Sequence, residues 1–195
     1  MIKIAVLISF LLLPFQLFSH EFIIGLNERD IYRYKDEKGQ WAGKDIELIN
    51  AVFRRTPFTY KIIAMPWARA LKALEAGTID MTLAATVLPE RKKYAHFTKH
   101  DFRYSHHMLF VHKDKLNLFD SVKGLADLTD VDVVIGALRG AVFYESYPIL
   151  LQNKKFARRI AYISHDQNMA SFVLKGRVDG YIDSEIEGKH YLLSH

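Results

Sequence analysis

Apolar residues follow two different periods along the chain. Short apolar or alternating runs predict strands, and stretches in which apolar residues recur every three or four positions predict helices. The first half is predicted to form strands at 22–26, 58–63 and 79–83 and helices at 45–53 and 67–76. The second of these helices lies between Pro66 and Gly77, which are common residues at a helix start and a helix end. This order of elements is typical of a parallel α/β sheet with right-handed crossovers.

The same alternation begins again after an aromatic- and histidine-rich segment at 98–112. The second unit is predicted to form strands at 108–111, 131–135, 160–163 and 178–182 and helices at 143–151, with a break near Pro148, and 164–175. Two successive α/β units indicate two lobes with a cleft between them, and we expect lobe one over 20–103 and lobe two over 104–185. Ligands of such sheets bind beyond the carboxyl ends of the strands, so the pattern favours a small-molecule binder.

The first 19 residues have the three parts of a secretory signal peptide. A positively charged start, Met1 to Lys3, precedes an apolar run from Ile4 to Leu13 and a small residue, Ser19, at the expected cleavage site. The apolar run is shorter than the roughly 20 residues of a transmembrane helix. A membrane anchor or a buried strand is the alternative interpretation. We therefore expect cleavage after residue 19 and a periplasmic location.

Composition and charge exclude several classes of site. The 195 residues contain no cysteine, which excludes a disulfide scaffold, a cysteine-ligated metal and a thiol nucleophile. Lysine and arginine number 27 against 22 aspartate and glutamate, a net charge of +5. The basic residues are scattered, whereas a nucleic-acid binder concentrates them on one surface, so no nucleic-acid partner is expected. The charge instead suggests an anionic ligand.

Enzyme motifs are missing from the sequence. His96 and His100 have helical i, i+4 spacing, but no glutamate follows His96 as in a zinc protease, so no metal is expected. No phosphate-binding loop, dinucleotide glycine motif or Gly-x-Ser-x-Gly turn is present. We therefore expect a protein that is not an enzyme, with no catalytic residues and no cofactor.

Four segments in order resemble the bacterial extracellular solute-binding proteins of family 3, the periplasmic receptors of polar amino-acid ABC transporters. They are GQWAGKDIELINAVF at 39–53, WARALKALEAGTIDM at 67–81, PERKKYAHFT at 89–98 and GRVDGYID at 176–183. The resemblance implies a two-lobed, type II periplasmic-binding-protein (flytrap) fold that closes on its ligand. It also implies a monomer that serves an ABC permease in the inner membrane.

The resemblance also implies a difference in length. Members of the family return to lobe one after the segment that matches 176–183, whereas this chain stops at His195. We therefore expect a truncated, frameshifted or minimal version of the fold, in which 186–195 begins the return segment.

In lobe one the resemblance implies three ligand contacts. Arg91 matches the arginine that binds the ligand carboxylate, to which a guanidinium donates two parallel hydrogen bonds. Thr86 matches a donor for the same carboxylate. Tyr32 matches an aromatic residue that stacks on the ligand, with Tyr34 as the alternative. A solvated arginine and ordinary loop tyrosines are the competing interpretations.

The helix at 67–76 supplies two further candidates. Trp67 lies on its apolar face, where packing in the core competes with a contact to the apolar part of the ligand. Arg69, on a different face, is a candidate for a second anion contact, with an ordinary surface position as the alternative.

In lobe two the resemblance leaves several possibilities open. Gly140 matches a loop whose backbone N–H groups contact the ligand, and Arg139 beside it favours an anionic one. The position of the carboxylate that binds the amino group of the ligand is here Ser184. Either Asp183 or Glu185 takes that role, or the ligand is not an ordinary α-amino acid.

The expected function is capture of a small carboxylate-bearing solute, a polar amino acid or an analogue, by hinge closure. Two alternatives stay open. The same fold serves periplasmic prephenate and arogenate dehydratases, for which Glu145 or Glu185 is a candidate acid. It also serves ligand-sensing modules that dock on a membrane signalling receptor.

Overall fold

The computed structural model describes residues 20–166 and 169–194. The predicted signal peptide lies outside the described residues. The strands are β1 (Glu21–Leu26), β2 (Tyr34–Lys35), β3 (Trp41–Ala42), β4 (Thr59–Ala64), β5 (His107–Val111), β6 (Ile135–Leu138), β7 (Ile160–Ile163) and β8 (Gly180–Ser184). The helices are α1 (Lys44–Phe53), α2 (Trp67–Glu75), α3 (Tyr147–Leu150), α4 (Lys154–Ala157), α5 (Met169–Leu174) and α6 (Glu185–Ser194), with 3₁₀ turns at Arg91–Lys93, Lys113–Phe119 and Leu125–Thr129.

Lobe one is built on a parallel pair of strands. β1 and β4 run side by side from Glu21↔Thr59 to Leu26↔Ala64, and β2 and β3 form a separate short hairpin. The buried core of this lobe consists of Ile24, Leu26, Ile46, Ile49 and Leu83.

The strand predicted at 79–83 is reduced to a single parallel bridge between Met81 and Ile24. The carboxylate of Asp80 accepts the backbone N–H of Ile23 at 2.7 Å, a donor that a longer ladder would use. The Asp80 side chain thus takes the donor that pairing on the N-terminal side of Met81 would need, and the strand does not extend in that direction.

Lobe two contains a four-stranded sheet in the order β5-β8-β6-β7. β5 is antiparallel to β8, and the other pairs are parallel. β6 begins at Ile135, which corrects the strand predicted at 131–135. The Asp179 carboxylate accepts the N–H of Val134 at 2.7 Å, so pairing begins only beyond that residue. β8 is similarly displaced from the predicted 178–182.

The helix predicted at 143–151 is shorter in the structure. α3 covers Tyr147–Leu150, with Pro148 in its first turn. Proline is compatible with the first turn of a helix, where its missing N–H has no helical partner. Pro148 therefore lies at the start of this helix and does not break it.

α6 follows β8 directly and packs against β5, β8 and α5. The segment 185–194 thus lies on lobe two, and the lobe boundaries given by the sequence stay predictions. Among the described residues, no helix has the length and apolar character needed to cross a bilayer.

The two lobes share apolar contacts through α2. Trp67, 6% exposed at the start of α2, belongs to the same buried cluster as Leu138, Met169 and Tyr181 of lobe two. The N-terminal end of α2 therefore joins the lobes beside the cleft.

Candidate functional site

A cleft of about 370 Å³ lies where lobe one meets lobe two. Its walls come from the loop after β1, the segments 83–87 and 101–105, the loop after β6, and the junction of β8 with α6. Its ionisable lining residues are Arg29, Arg33, Arg91, Asp101, Arg103, Tyr104, His107, Asp183 and Glu187. The carboxyl ends of β1, β6 and β8 all point to this place, as expected for a ligand site on α/β sheets.

Arg91 lies on this cleft, at the first position of a 3₁₀ turn, and is 6% exposed. Its Nη1 donates to the carbonyl of Thr86 at 3.0 Å and its Nη2 to the carbonyl of Gly140, in lobe two, at 2.8 Å. Among the described residues it forms no salt bridge with a carboxylate. Burial lowers the pKa of Arg91, although Tyr94 and Glu90 act in the opposite direction. The site thus holds a buried guanidinium that forms no salt bridge with any described carboxylate.

Thr86 and Trp67 also line the cleft. The Thr86 hydroxyl donates to the carbonyl of Val142 at 3.2 Å, a second hydrogen bond between the lobes. Trp67 is both a core residue and a wall of the cleft, so its two interpretations are compatible.

The loop after β1 carries two arginines into the site. Backbone hydrogen bonds of 2.8 Å in both directions join Arg29 and Arg33 and close this loop. Arg33 is 2% exposed and donates to the Asp45 carboxylate at 2.6 Å and to both the backbone and side-chain oxygens of Asn27 at 2.8 Å. Because every one of these partners is buried, Arg33 stabilises the loop that presents Arg29.

Arg29 reaches across the cleft to three carboxylates of lobe two, those of Asp166, Asp183 and Glu187. We name Arg29 and these three residues the Arg29 cluster. Its Nη2 lies 2.9 Å from Oδ1 of Asp183, and its Nε lies 2.5 Å from Oε1 of Glu187 and 3.3 Å from Oδ2 of Asp166. Nη2 also contacts Oε2 of Glu187. Asn27 donates to Asp166 at 2.7 Å. The cluster thus pairs one guanidinium with three carboxylates.

The excess of carboxylates shifts the protonation of the cluster. Burial raises the pKa of Asp183 to about 7; Arg29 opposes this shift, and Glu187 and Asp166 add to it. Burial also raises the pKa of Asp166. Burial alone would lower the pKa of Arg29, but Asp166, Glu187 and Asp183 together raise it. Below about pH 7 the cluster therefore keeps a proton on Asp183.

Tyr32 does not line the cleft, which corrects the expectation that it stacks on a ligand. Its ring is 7% exposed and is covered by the guanidinium of Arg103, whose carbon lies 3.7 Å from the ring centre. Arg103 also donates to Asp45 at 3.1 Å. The alternative, Tyr34, is an exposed residue of β2. An arginine of the protein thus occupies the aromatic face on which a ligand was expected.

Three other expected contacts lie away from the main cleft. Arg69 is exposed on α2, on a face that does not border the cleft. Arg139 is exposed, and its guanidinium carbon lies 5.3 Å from the centre of the Tyr162 ring. Glu185 forms an i, i+4 salt bridge with Lys189 on α6. These placements correct the expectation for each of the three residues.

Gly140 has φ +82° and contributes its carbonyl to Arg91, where backbone N–H contacts to a ligand were expected. Asp183 does line the cleft, but its partner is Arg29.

Sequence reasoning missed Arg29, Asp166, Arg103 and Glu187. One signal was available, since Arg29 follows the carboxyl end of β1, where ligand-binding residues concentrate. Asp166 lies in the helix predicted at 164–175, and the sequence did not single it out as a site residue. Glu187 belongs to a helix that the periodicity did not predict.

Comparisons with known proteins agree with this architecture. The sequence profile of the bacterial extracellular solute-binding proteins, family 3, matches residues 23–180. No curated protein matches the chain significantly.

Solved structures share the fold at low sequence identity. An ancestral arginine-binding protein bound to arginine is 23% identical, with a TM-score of 0.70 over 89% of this chain and 74% of its own. A substrate-binding protein of an amino-acid ABC transporter from Streptococcus pneumoniae, bound to L-arginine, is 22% identical, with a TM-score of 0.72 over 88% and 70%. An ancestral amino-acid-binding protein described as a precursor of cyclohexadienyl dehydratase is 21% identical, with a TM-score of 0.69 over 88% and 74%. The predicted two-lobed α/β fold is confirmed.

Proposed function

The chain belongs to the bacterial extracellular solute-binding proteins of family 3, and on that premise we propose that it captures a small carboxylate-bearing solute in the periplasm. The solute is held in the cleft between the lobes. The loaded form delivers it to an ABC permease of the inner membrane, and the protein acts as a monomer. The structural relatives bound to arginine favour an amino acid or a close analogue as the starting class of ligands.

The observation that carries this proposal is the environment of Arg91. A buried cation without a salt bridge is unfavourable. Two carbonyl acceptors, together with Tyr94 and the nearby Glu90, offset its desolvation only in part, and burial still lowers the pKa of Arg91. A ligand carboxylate supplies the missing negative charge, and charge-assisted bonds to a guanidinium are stronger than those between neutral groups. Arg91 therefore favours an acidic solute over a neutral one.

Closure of the lobes follows from the same contacts. Arg91 bonds to lobe two at Gly140, Thr86 bonds to it at Val142, and Asn27 bonds to it at Asp166. A solute that touches both walls of the cleft favours the closed arrangement by its difference in affinity between the open and closed states. We propose hinge closure of this kind as the binding mechanism.

Binding without chemistry is the function that the site favours. The relative described as a precursor of a dehydratase is itself an amino-acid-binding protein. The two acids considered for a dehydratase, Glu145 and Glu185, do not line the cleft. Docking on a signalling receptor differs from transport only in the partner. Ligand-dependent stimulation of an ABC permease reconstituted in liposomes distinguishes the two.

A thermal-shift screen against amino acids and organic acids, followed by calorimetry, tests this proposal. A ligand present at 100 times its Kd stabilises the folded protein by about 2.7 kcal/mol. We expect Arg91→Ala to weaken the best ligand at least tenfold and Arg91→Lys to weaken it less. The exposed Arg54→Ala is the matched control and should leave the affinity unchanged. Retention of full affinity for every carboxylate by Arg91→Ala would contradict the proposal.

A further inference from the structure

The Arg29 cluster carries an inference about ligand class that rests on the proposed function. We propose that Arg29 is a specificity-determining residue, whose guanidinium occupies the place beside Asp183 and Glu187 that a ligand ammonium group would need. The cleft then prefers organic acids that lack an ammonium group to the α-amino acids of the same carbon skeleton.

The first step is the supply of negative charge in the cleft. Among the described residues, the carboxylates that line it are Asp101, Asp183 and Glu187. Asp101 is exposed and hydrogen-bonded to the hydroxyl of Tyr104. Only Asp183 and Glu187 are buried, 5% and 4% exposed, and able to compensate for the desolvation of an ammonium group.

The second step is that both buried carboxylates are already engaged. Glu187 accepts bonds from Nε and Nη2 of Arg29, an arrangement that uses both of its oxygens. Glu187 also accepts the Ser184 hydroxyl at 2.7 Å. Oδ1 of Asp183 accepts both Arg29 at 2.9 Å and the Ser184 N–H at 2.7 Å. A ligand ammonium would have to displace the chelated guanidinium to reach Glu187, and would compete with it for Oδ1 of Asp183.

The third step concerns the charge left over in the cluster. One guanidinium against three carboxylates would leave negative charge for a ligand cation. Burial and the neighbouring carboxylates keep a proton on Asp183 up to about pH 7, where its pKa lies. Burial raises the pKa of Asp166 in the same direction. Protonation thus reduces the attraction of the cluster for a second cation.

The fourth step is the cationic remainder of the cleft. Arg33 and Arg103 share a single carboxylate, Asp45, and Arg91 has none among the described residues. Burial and Arg29 lower the pKa of His107, which keeps the imidazole neutral. The guanidinium groups of Arg33, Arg91 and Arg103 thus share a single salt-bridged carboxylate, which leaves an excess of two positive charges in this part of the cleft. A solute with one or two acidic groups and no cation balances this charge.

The experiment compares matched pairs of ligands on the purified protein. The pairs are L-glutamate with glutarate, L-aspartate with succinate, L-leucine with 4-methylpentanoate and L-arginine with 5-guanidinopentanoate. Thermal shift identifies the pairs that bind, and calorimetry at pH 6.0, below the Asp183 pKa of about 7, gives both Kd values. We expect the acid without the ammonium group to bind at least tenfold more tightly than its amino acid.

Variants at position 29 test whether this residue sets the preference. Arg29→Ala and Arg29→Gln remove the charge, and each should shift the ratio of the two Kd values at least tenfold toward the amino acid. Arg29→Lys keeps a cation and should keep the preference of the parent protein. Arg54→Ala is the surface control, and circular dichroism confirms that each variant is folded.

The outcomes separate the two proposals. Tighter binding of the amino acid by the parent protein in the pairs that bind would overturn this inference while leaving the proposed function intact. An unchanged ratio in folded Arg29→Ala or Arg29→Gln would also overturn it. If no carboxylate of either kind binds, the proposed function fails and this inference fails with it. If neither variant folds, the ratio measured on the parent protein decides.

Discussion

Replacement of Asp183 by asparagine is expected to change how the stability of the protein depends on pH. Asp183 is 5% exposed and lies beside two other carboxylates, and its pKa rises from the usual 3.8 to about 7 in the folded protein. The folded protein therefore binds this proton more tightly than the unfolded chain does. Its contribution to stability is fully present below pH 3.8 and is lost as the pH rises toward 7.

The size of the effect follows from the two pKa values. Each pH unit between them is worth about 1.4 kcal/mol, so ionisation of Asp183 costs up to about 4 kcal/mol by pH 7 to 8. Asparagine resembles the protonated carboxyl and does not titrate. The variant should match the parent protein near pH 4 and exceed its stability by several kcal/mol at pH 8.

Urea unfolding followed by tryptophan fluorescence, at pH values from 4 to 8, measures this difference. Subtracting the two proteins cancels the titration of the groups outside the Arg29 cluster that they share, and the difference reports the titration of the cluster. The exposed Asp120→Asn variant is the control, and its difference from the parent should stay within about 0.5 kcal/mol at every pH. A difference for Asp183→Asn that is constant with pH, or that shrinks as the pH rises, would refute the reasoning.

Two further predictions concern the backbone and the lobe contact. Gly43 has φ +105°, and a Cβ there would lie 2.4 Å from the carbonyl oxygen of Tyr32, so Gly43→Ala should destabilise the protein by well over 1 kcal/mol. Gly39 has φ +72° but open space around it, so Gly39→Ala is the control and should destabilise less. Equal losses of stability in thermal unfolding would contradict this account. Trp67→Ala removes a side chain packed between the lobes and should lower the free energy of unfolding by about 3–5 kcal/mol. Urea unfolding measures this loss. A loss below about 1 kcal/mol would show that the Trp67 contact does not hold the two lobes together.

Local patterns were sufficient to predict most elements of the fold. The strand at 160–163 agrees with β7, and the helix at 45–53 agrees with α1 to within one residue. Errors arose where a side chain replaced a backbone partner. Asp80 and Asp179 accept N–H groups that the sheets would otherwise use, and apolar periodicity contains no information about such bonds.

The site was predictable only in part, for a physical reason. Arg91 was found because it lies in a recognisable segment, and the structure places it on the cleft. The contacts of Arg29 join residues 154 and 158 positions apart, and no local pattern indicates such a pairing. The prediction that Tyr32 contacts the ligand does not match the structure, because Arg103, 71 positions further along the chain, covers the Tyr32 ring.

The bonds that Arg91 and Thr86 send to lobe two both end on backbone oxygens, those of Gly140 and Val142. A carbonyl group is present whichever side chain its residue carries. Substitutions at Ala141 and Val142, which line the cleft, can therefore reshape the wall that faces the solute while the acceptors of both bonds remain. This short loop is a natural place to evolve new ligand preferences in the laboratory without redesigning the closure itself.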